Sequence, residues 1–377
     1  MHVLFVGGGT LGSVTPLLAM IEELRDRVRV VRCSWWGTRA GPERALVEAA
    51  GISFASLPSG KFRRYWDLQH CVDPFRILGA GMIALVRMVR DRPDVVVGAG
   101  AFVQVPVMWA AWLLQVPVMI HQLDVRPGLA NRLVAPTARM ITGTFSSHVV
   151  AFGARSVVRI VGNPVRRALG SVGALAPGAA KQFLGFPPHL PLVLVLGGGT
   201  GAHALNVLAH AARGSLKQVS VLVVTGQGKG VGTDTSFSPR SSSGGVVTYR
   251  EVEFLDMETL VVAYAAADVV VSRAGMGTVT ELGVLGKVTV LVPIPESHQE
   301  ENAAAIAMRG AAVVWPQREL TPEEFARRLR ALLADEAQCM ALAQAARDLF
   351  PVNAAARSAD IILQVIHASE TTNDPHV

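Results

Sequence analysis

Val3-Leu-Phe-Val-Gly-Gly-Gly-Thr10 and Val193-Leu-Val-Leu-Gly-Gly-Gly-Thr200 are near copies of one segment, separated by 190 residues. Each is a short apolar run followed by three glycines, a threonine and a helical pattern. A buried parallel strand that leads into a tight glycine turn and a helix is typical of a doubly wound α/β unit. Because the offset is about half of the 377 residues, the repeat predicts two similar domains.

Val/Ile-rich runs alternate with helical patterns around this repeat, which is typical of a parallel sheet covered by helices. The runs predicted as further strands are Val28–Ser34, Val95–Val97, Val118–Ile120, Val269–Val271 and Val288–Val292. The patterns predicted as helices are Val14–Arg25, Glu43–Ala50, Ile77–Arg90 and a helical region from Leu320 to about Ile366. The predicted fold class is therefore α/β, with two doubly wound, Rossmann-like domains.

The composition indicates a globular protein, because 50% of the residues are hydrophobic and 17% are charged. These fractions exclude an intrinsically disordered chain and a disulfide-built mini-protein. Cys33, Cys71 and Cys339 are far apart in the sequence, which predicts reduced thiols and no structural zinc. The chain leads from Met1 directly into a strand pattern, so no secretory signal is expected.

The net charge of +6 and the pI of 9.6 fit an anionic partner. Nucleic acid is the least favoured of these partners, because the Lys and Arg residues are scattered and no nucleic-acid-binding motif occurs. An anionic membrane and a phosphorylated small molecule remain. The 26 uncharged residues Val95–Ile120 could cross a bilayer by length, but their glycines and prolines favour a strand, loop, helix and strand.

Glycine turns follow three predicted strands, one of them at Gly98-Ala-Gly-Ala-Phe102. Such turns let backbone N–H groups and a helix N-terminus approach a phosphate. The first turn, Gly7-Gly-Gly-Thr-Leu-Gly12, also matches the dinucleotide pattern G-x-G-x-x-G. The next strand end, Arg32-Cys-Ser-Trp-Trp36, lacks the acid that would bind the ribose of NAD, so NAD is disfavoured.

The most specific cluster of polar residues lies in the second half. Ser272-Arg-Ala-Gly-Met-Gly-Thr-Val-Thr-Glu281 opens a helix after a strand, and its glycines and threonines suit a phosphate. Glu281 suits ribose hydroxyls, with a solvated glutamate as the alternative. His298, Gln299 and Asn302 follow the next strand and suit sugar hydroxyls or, alternatively, a helix cap.

In order and spacing these motifs resemble the GT-B glycosyltransferases of the MurG type, in family 28. The resemblance runs from about Val3 to Ile366 and includes His121–Asn131 and Val161–Arg166. It implies two domains facing across a cleft and an inverting transfer of N-acetylglucosamine from UDP-N-acetylglucosamine. The implied acceptor is lipid I, undecaprenyl-pyrophosphoryl-N-acetylmuramoyl-pentapeptide, and the product is lipid II. Neither cofactor nor metal is expected, and no Asp-x-Asp triplet occurs.

The resemblance further implies that the C-terminal domain holds the UDP-sugar. Arg166 would lie near the nucleotide and Leu255 near the uracil, while Glu281 would bind the ribose and Gln299 the sugar hydroxyls. The full set implied to contact UDP-N-acetylglucosamine is Thr10, Leu11, Gly12, Asp124, Arg166, Gly199, Thr200, Leu255, Met276, Gly277, Thr278, Val279, Thr280, Glu281 and Gln299.

The N-terminal domain is implied to take the acceptor. Its pyrophosphate would meet the glycine turns at Gly9, Gly12, Gly98, Gly100 and Ala101.

The chain departs from the family pattern where a catalytic base is often proposed. The family's Gly-Gly-Thr-Gly-Gly-His loop ends here in Ser13, whose hydroxyl cannot act as a base at neutral pH without a partner. The family's His-Glu-Gln-Asn run reads His121-Gln-Leu-Asp124, which moves the acid two positions. The catalytic candidates are Asp124, His121 and Ser13. A structural role for His121, or a different acceptor, is the alternative.

The implied domains are 1–165 for the acceptor and the membrane, 166–350 for the UDP-sugar, 351–367 as a helix packing back on the N-terminal domain, and 368–377 as a disordered tail. A polyprenyl acceptor requires access to a bilayer. The mixed basic and aromatic run Lys61-Phe-Arg-Arg-Tyr-Trp66 and the helix Phe75–Arg90, with Arg76, Arg87 and Arg90 on one side, therefore predict peripheral attachment to an anionic cytoplasmic membrane face. An ordinary amphipathic helix packed on the sheet is the alternative.

Two other function classes share the implied architecture. A UDP-N-acetylglucosamine 2-epimerase would turn over without an acceptor, and a transferase for another glycolipid would use a different one. A UDP-sugar-binding protein without turnover is a third class.

Overall fold

The computed structural model describes residues 1–58, 73–197, 202–231 and 248–372. The chain divides into two compact units, Met1–Arg166 with Val352–Val377, and Arg167–Pro351. The basic aromatic run 61–66, Cys71, Gly199 and Thr200 lie outside the described residues.

Each unit is built from strands and helices that alternate along the chain. The strands are β1 (His2–Val6), β2 (Arg32–Thr38), β3 (Ser53–Leu57), β4 (Val95–Gly98), β5 (Val118–Gln122), β6 (Met140–Gly143), β7 (Val158–Ile160), β8 (Leu192–Leu196), β9 (Ser220–Val224), β10 (Tyr249–Val252), β11 (Val269–Ser272), β12 (Val288–Leu291) and β13 (Val313–Val314). The helices are α1 (Thr15–Arg27), α2 (Glu43–Ala49), α3 (Asp73–Arg90), α4 (Gln104–Leu113), α5 (Leu129–Val134), α6 (Ser147–Phe152), α7 (Pro177–Phe183), α8 (His203–Ala212), α9 (Met257–Ala266), α10 (Met276–Val284), α11 (His298–Ala307), α12 (Pro322–Ala334), α13 (Glu336–Leu349) and α14 (Ala354–Thr372).

Each unit contains one parallel sheet, with the strand order β3-β2-β1-β4-β5-β6-β7 in the first and β10-β9-β8-β11-β12-β13 in the second. The two repeated strands, β1 and β8, occupy corresponding places, because the strand order reverses beside each of them. In open α/β sheets, ligands bind outside the carboxyl ends of the strands at this switch point. The predicted pair of doubly wound domains is confirmed.

The uncharged stretch 95–120 forms β4, α4 and β5, as predicted. The two strands are adjacent and buried, which explains why they carry no charge. The helix α4 packs against α3 and α5.

The second strand lies four residues later than the sequence predicts, at Arg32–Thr38 instead of Val28–Ser34. The preceding helix α1 runs on to Arg27, and the Val28 N–H closes its last turn by donating to Leu24 O at 2.9 Å. Pairing with β1 then sets the register, with Arg32 opposite His2. The hydrophobic run alone does not contain this information.

The C-terminal helix α14 belongs to the first unit and packs against α1. Asp360 forms an ion pair with Arg27, and Arg357 Nη2 donates to Ile160 O at 2.7 Å. The predicted disordered tail at 368–377 is wrong for residues 368–372, which are helical. No glycine or proline interrupts the chain there, and the Ser369 hydroxyl donates to Ile366 O at 2.6 Å.

One described stretch, 336–369, is long and apolar enough to cross a membrane by length and composition, with a mean hydropathy of 1.2 over its most apolar window. It covers α13 and all but the last three residues of α14, and half of that window is buried inside the fold.

Candidate active site

The first glycine turn, after β1, is held by a buried glutamate. The Glu43 carboxylate accepts from Gly9 N–H at 3.1 Å and Thr38 N–H at 2.7 Å, and also from the Thr38 hydroxyl. Gly8 has φ +155°, and a Cβ there would lie 2.1 Å from Glu43 Oε1. Only glycine therefore fits this approach between turn and carboxylate.

The Gly9 N–H therefore already donates to a side chain of the protein. A phosphate bound at this turn would contact other groups of the turn instead. Thr10 and Gly12 are exposed and Leu11 is half-buried. Ser13 is buried, and its hydroxyl faces Thr10 O at 3.5 Å. This position supports a structural role for Ser13 more than a role as the base.

The glycine turn after β4 is closed by a side chain from α4. The Gly100 N–H, at φ +102°, donates to Gln104 Oε1 at 2.9 Å, so this amide too is not directed at a ligand. A Cβ on Gly98 would lie 2.5 Å from the same oxygen, and Ala101 is buried. The expectation that several turn amides surround a phosphate is therefore wrong for Gly9 and Gly100, because buried side chains take these two donors.

Asp124 lies two residues beyond β5, at the same sheet edge as both glycine turns, and is half-buried. Its carbonyl accepts from Gln122 Nε2 at 2.8 Å and from His148 Nε2 at 3.0 Å. Its backbone position is therefore fixed by two buried side chains, and its carboxylate lies at the carboxyl end of the first unit's sheet.

His121, the fourth of the five residues of β5, is fully buried. Its Nδ1 contacts Thr142 Oγ1 at 2.9 Å and its Nε2 contacts Asn163 Oδ1 at 3.3 Å. Burial lowers the pKa of His121 to about 3. A side chain with so little affinity for a proton is a poor general base at neutral pH, which favours the structural alternative for His121.

An exposed apolar stripe runs along α3 in the first unit. Leu78, Met82, Val86 and Val89 recur at helical spacing and are 47–70% exposed, while the opposite face of α3 is buried. Neighbouring α4 and α5 add further exposed apolar side chains, namely Trp109, Trp112, Leu113, Leu129 and Leu133. We call this set, with the α3 stripe, the apolar face. Exposed arginines on the same helices are Arg76, Arg90 and Arg132.

Arg87 does not join these exposed arginines. It is half-buried, with its guanidinium 5.7 Å from the Trp36 ring centroid and Nη1 donating to Ser56 O at 3.4 Å. The sequence prediction that Arg76, Arg87 and Arg90 share one basic side is therefore wrong for Arg87.

In the second unit, two helix N-termini follow adjacent parallel strands. Helix α8 follows β8 and α10 follows β11, and these two strands pair directly. The N-cap residues are Ala202 and Gly275, and neither supplies a side-chain cap. Two N-termini at one sheet edge, neither capped by the side chain of its own N-cap residue, provide backbone donors and positive dipole ends suited to a diphosphate.

Two side chains tie the turn before α10 to the turn after β12. The buried Arg273 guanidinium donates through Nη1 to Val292 O at 2.9 Å, and burial lowers its pKa. Asn302, on the helix α11 that follows β12, donates through Nδ2 to Ala274 O in the turn before α10 at 3.1 Å. Asn302 is therefore a link between turns, and the prediction that it faces sugar hydroxyls is wrong.

Glu281 lies on α10 and is buried, with Oε2 accepting from the Tyr264 hydroxyl at 3.1 Å. The solvated alternative for Glu281 is therefore excluded. Gly277 and Thr278 are half-buried in the first turn of α10. The remaining residues predicted on this helix, Met276, Val279 and Thr280, are buried.

Gln299 stands at the start of α11, which Ser297 caps by accepting from Gln299 N–H at 3.2 Å. The side-chain oxygen of Gln299 accepts from Ile294 N–H at 3.2 Å. Leu255 is buried just after β10, and Arg166 is half-buried at the end of the first unit. Within the described ranges, no group of three or more His, Cys, Asp or Glu could hold a metal ion.

Two family models match this chain. The glycosyltransferase family 28 N-terminal domain matches residues 3–142, and the family 28 C-terminal domain matches residues 192–364. The UDP-N-acetylglucosamine–N-acetylmuramyl-(pentapeptide) pyrophosphoryl-undecaprenol N-acetylglucosamine transferase of Paenarthrobacter aurescens is 36% identical, across 98% of this chain and 97% of that protein.

The chain belongs to glycosyltransferase family 28. Among solved structures, MurG of Acinetobacter baumannii matches with a TM-score of 0.71 and 27% identity, covering 96% of this chain and 99% of that one. A UDP-N-acetylglucosamine 2-epimerase from Neisseria meningitidis matches with a TM-score of 0.69 and 16% identity, covering 97% of this chain and 100% of that one. The second likeness shows the fold alone, so the epimerase alternative is not favoured.

Sequence reasoning missed the residues that hold the turns of this family 28 chain. Glu43 resembles an ordinary acid in the first turn of a helix, and its link to Gly9 spans 34 residues. Gln104 offered a better signal, because a polar side chain inside an uncharged apolar stretch must find a buried partner.

Proposed function

We propose that this chain transfers N-acetylglucosamine from UDP-N-acetylglucosamine to undecaprenyl-pyrophosphoryl-N-acetylmuramoyl-pentapeptide, giving the lipid intermediate of peptidoglycan synthesis. The observation that carries the proposal is the pair of helix N-termini of α8 and α10 on adjacent strands, in a chain whose family 28 relatives are named for this transfer. A diphosphate bound there would place the sugar beside the polar start of α11.

The proposed reaction is a direct displacement at the anomeric carbon with inversion. Asp124 takes the proton of the acceptor hydroxyl as that oxygen attacks, and UDP leaves from the opposite face of the sugar. The helix N-termini and Arg166 meet the charge that develops on the departing diphosphate. We propose that this stabilisation suffices without a metal ion.

Release of UDP from UDP-N-acetylglucosamine, with and without a soluble lipid I analogue and in excess chelator, tests this function. Release that requires the acceptor and survives the chelator supports a metal-independent transferase. Turnover without acceptor would instead favour an epimerase or hydrolase. Donor binding without any turnover would favour a sugar-binding protein.

Glu281→Ala is expected to weaken binding of UDP-N-acetylglucosamine by about 1–3 kcal/mol, because the ribose hydroxyls lose a buried acceptor. Isothermal titration calorimetry measures this as a rise in Kd of roughly 5- to 150-fold. Tyr264→Phe is the matched control, because it removes only the hydroxyl that donates to Glu281 Oε2. An unchanged Kd in Glu281→Ala would remove this residue from the ribose site.

We further propose that the apolar face seats this protein peripherally on an anionic membrane. Four large apolar side chains in a row on α3, flanked by exposed Arg76 and Arg90, fit shallow insertion between acidic headgroups. A polyprenyl acceptor is held in the bilayer, so a transferase acting on it must approach that surface. The cytoplasmic face is the expected side, because the nucleotide-sugar donor is a cytoplasmic metabolite in this proposal.

The variant Leu78→Ser/Met82→Ser/Val86→Ser is expected to bind phosphatidylglycerol vesicles at least about tenfold more weakly, because it removes apolar area that enters the lipid. Cosedimentation measures the partition coefficient. The control is Met308→Ser/Met340→Ser, which alters two methionines of the second unit that are 80% and 68% exposed. Equal losses in both variants would refute a specific role for the apolar face.

A further inference from the structure

Three buried amide side chains form a continuous chain of hydrogen bonds in the first unit. It begins at Gln104, whose oxygen accepts from the Gly100 N–H and whose Nε2 donates to Asn131 Oδ1 at 2.6 Å. Asn131 Nδ2 donates in turn to Gln122 Oε1 at 2.7 Å. We call Gln104, Asn131 and Gln122 the amide chain.

The amide chain ends on the loop that carries Asp124. Gln122 Nε2 donates to the carbonyl oxygens of Asp124 at 2.8 Å and of Arg126 at 3.3 Å. His148 adds the second donor to the Asp124 carbonyl. The amide chain therefore links the glycine turn after β4 to the Asp124 loop after β5.

Burial makes this arrangement specific. All three amides are at most 2% exposed, and every amide oxygen and nitrogen in the chain has a partner. Leaving one such group without a partner costs about 1–3 kcal/mol, so each side chain is confined to one orientation. A network with every group satisfied is rigid.

The residue type at position 122 matters as much as its place. An amide nitrogen can donate to two carbonyl oxygens, whereas a carboxylate has only acceptors and would repel both. A neutral side chain at 122 also adds no negative charge beside Asp124. Where the family's His-Glu-Gln-Asn run has an acid at 122 and an amide at 124, this chain has Gln122 and Asp124. The hydrogen bonds fit this exchange, because they require a side-chain donor at position 122.

We propose that Gln122 is a positioning residue for this reaction. It fixes the backbone of Asp124, and through Asn131 and Gln104 it holds the Asp124 loop at a set distance from the glycine turn after β4. The inference rests on the proposed function, because it takes Asp124 as the base. It deepens that function by explaining how the base is held.

The test compares Gln122→Met, Gln122→Glu and Asp124→Asn in the full-length protein, with UDP-N-acetylglucosamine and a soluble lipid I analogue. Both Gln122 variants are expected to lower kcat about 10- to 100-fold, because small misplacements of a reacting group cost that much. The Kd for the donor should stay within about twofold in each. In Gln122→Glu the acid limb of the kcat–pH profile should also move to higher pH, because a second negative charge nearby disfavours ionisation of Asp124.

Thr137→Val is the matched control, because it removes a side-chain to backbone hydrogen bond of the same unit, to Val134 O at 2.8 Å, outside the amide chain. It should leave kcat within about twofold. If the Gln122 variants do not fold, as judged by thermal unfolding, Gln104→Met tests the far end of the chain. It should lower kcat about tenfold with the donor Kd unchanged.

The outcomes separate this inference from the proposed function. Wild-type kcat in both Gln122 variants, with Asp124→Asn inactive, would overturn the positioning role and leave the base in place. An active Asp124→Asn would overturn both. The exchange Gln122→Glu/Asp124→Asn should be as inactive as Asp124→Asn, and recovered activity would show that a carboxylate at either position suffices.

Discussion

Asp124→Asn is expected to lower kcat by roughly 10²–10⁴-fold if Asp124 is the general base, with a much smaller change in the donor Kd, because asparagine keeps a side-chain oxygen that can accept from the sugar. Asparagine keeps the size and the backbone of the residue, so the carbonyl that accepts from Gln122 and His148 remains in place. What is lost is the group that takes the proton of the acceptor hydroxyl. Steady-state UDP release and calorimetric titration of the donor measure the two parts separately.

Asp91→Asn is the matched control for this prediction. Asp91 lies in the same unit, is more than half exposed and pairs with Arg32 at the amino end of the strands. Surface pairs of this kind contribute about 0–1 kcal/mol, so its activity should be close to that of the wild type. Full activity in Asp124→Asn would direct the search for the base elsewhere in the acceptor-side loops.

Glu43→Ala should strongly destabilise the first unit. The variant leaves the Gly9 and Thr38 amides without their acceptor in the protein, at about 0.5–1.5 kcal/mol for each hydrogen bond lost. The first glycine turn would then lose its anchor, so the KM for the acceptor should rise. Thermal unfolding and acceptor titration measure these two effects.

Two further variants test whether the Glu43 carboxylate is what holds the turn. Glu43→Gln keeps one carbonyl acceptor and should lose less stability than Glu43→Ala. Glu48→Ala removes an exposed ion pair with Arg44 on the same helix and should change stability by about 0–1 kcal/mol. If Glu43→Ala were as stable as Glu48→Ala, the carboxylate would not be what holds the turn.

The strands that lead into the glycine turns were predictable because they are apolar, short and followed by glycine, as at Val95 and Val269. The boundaries and partners of other elements were harder to predict. The start of β2 depends on pairing with His2, a partner 30 residues away, and the place of α14 in the first unit depends on contacts with α1. Local periodicity carries no information about either partner.

The candidate residues divide in the same way. Sequence alone could place Asp124, Glu281 and Gln299 in the loops and helix starts that follow strands, because the chain order fixes which strand each one follows. It could not show that the Gly9 and Gly100 N–H groups donate to the side chains of Glu43 and Gln104. It also could not show that His121 is sealed from solvent.

The sequence by itself determined the two-domain α/β architecture and the residue types of the turns, since these follow from local composition and order. Tertiary structure alone decided which polar groups face a ligand and which are used internally. The physical reason is that a buried donor or acceptor must find a partner, and that partner comes from a segment distant in sequence. Nothing in the sequence connects Gln122, Asn131 and Gln104, and only the fold brings their side chains into hydrogen-bond contact.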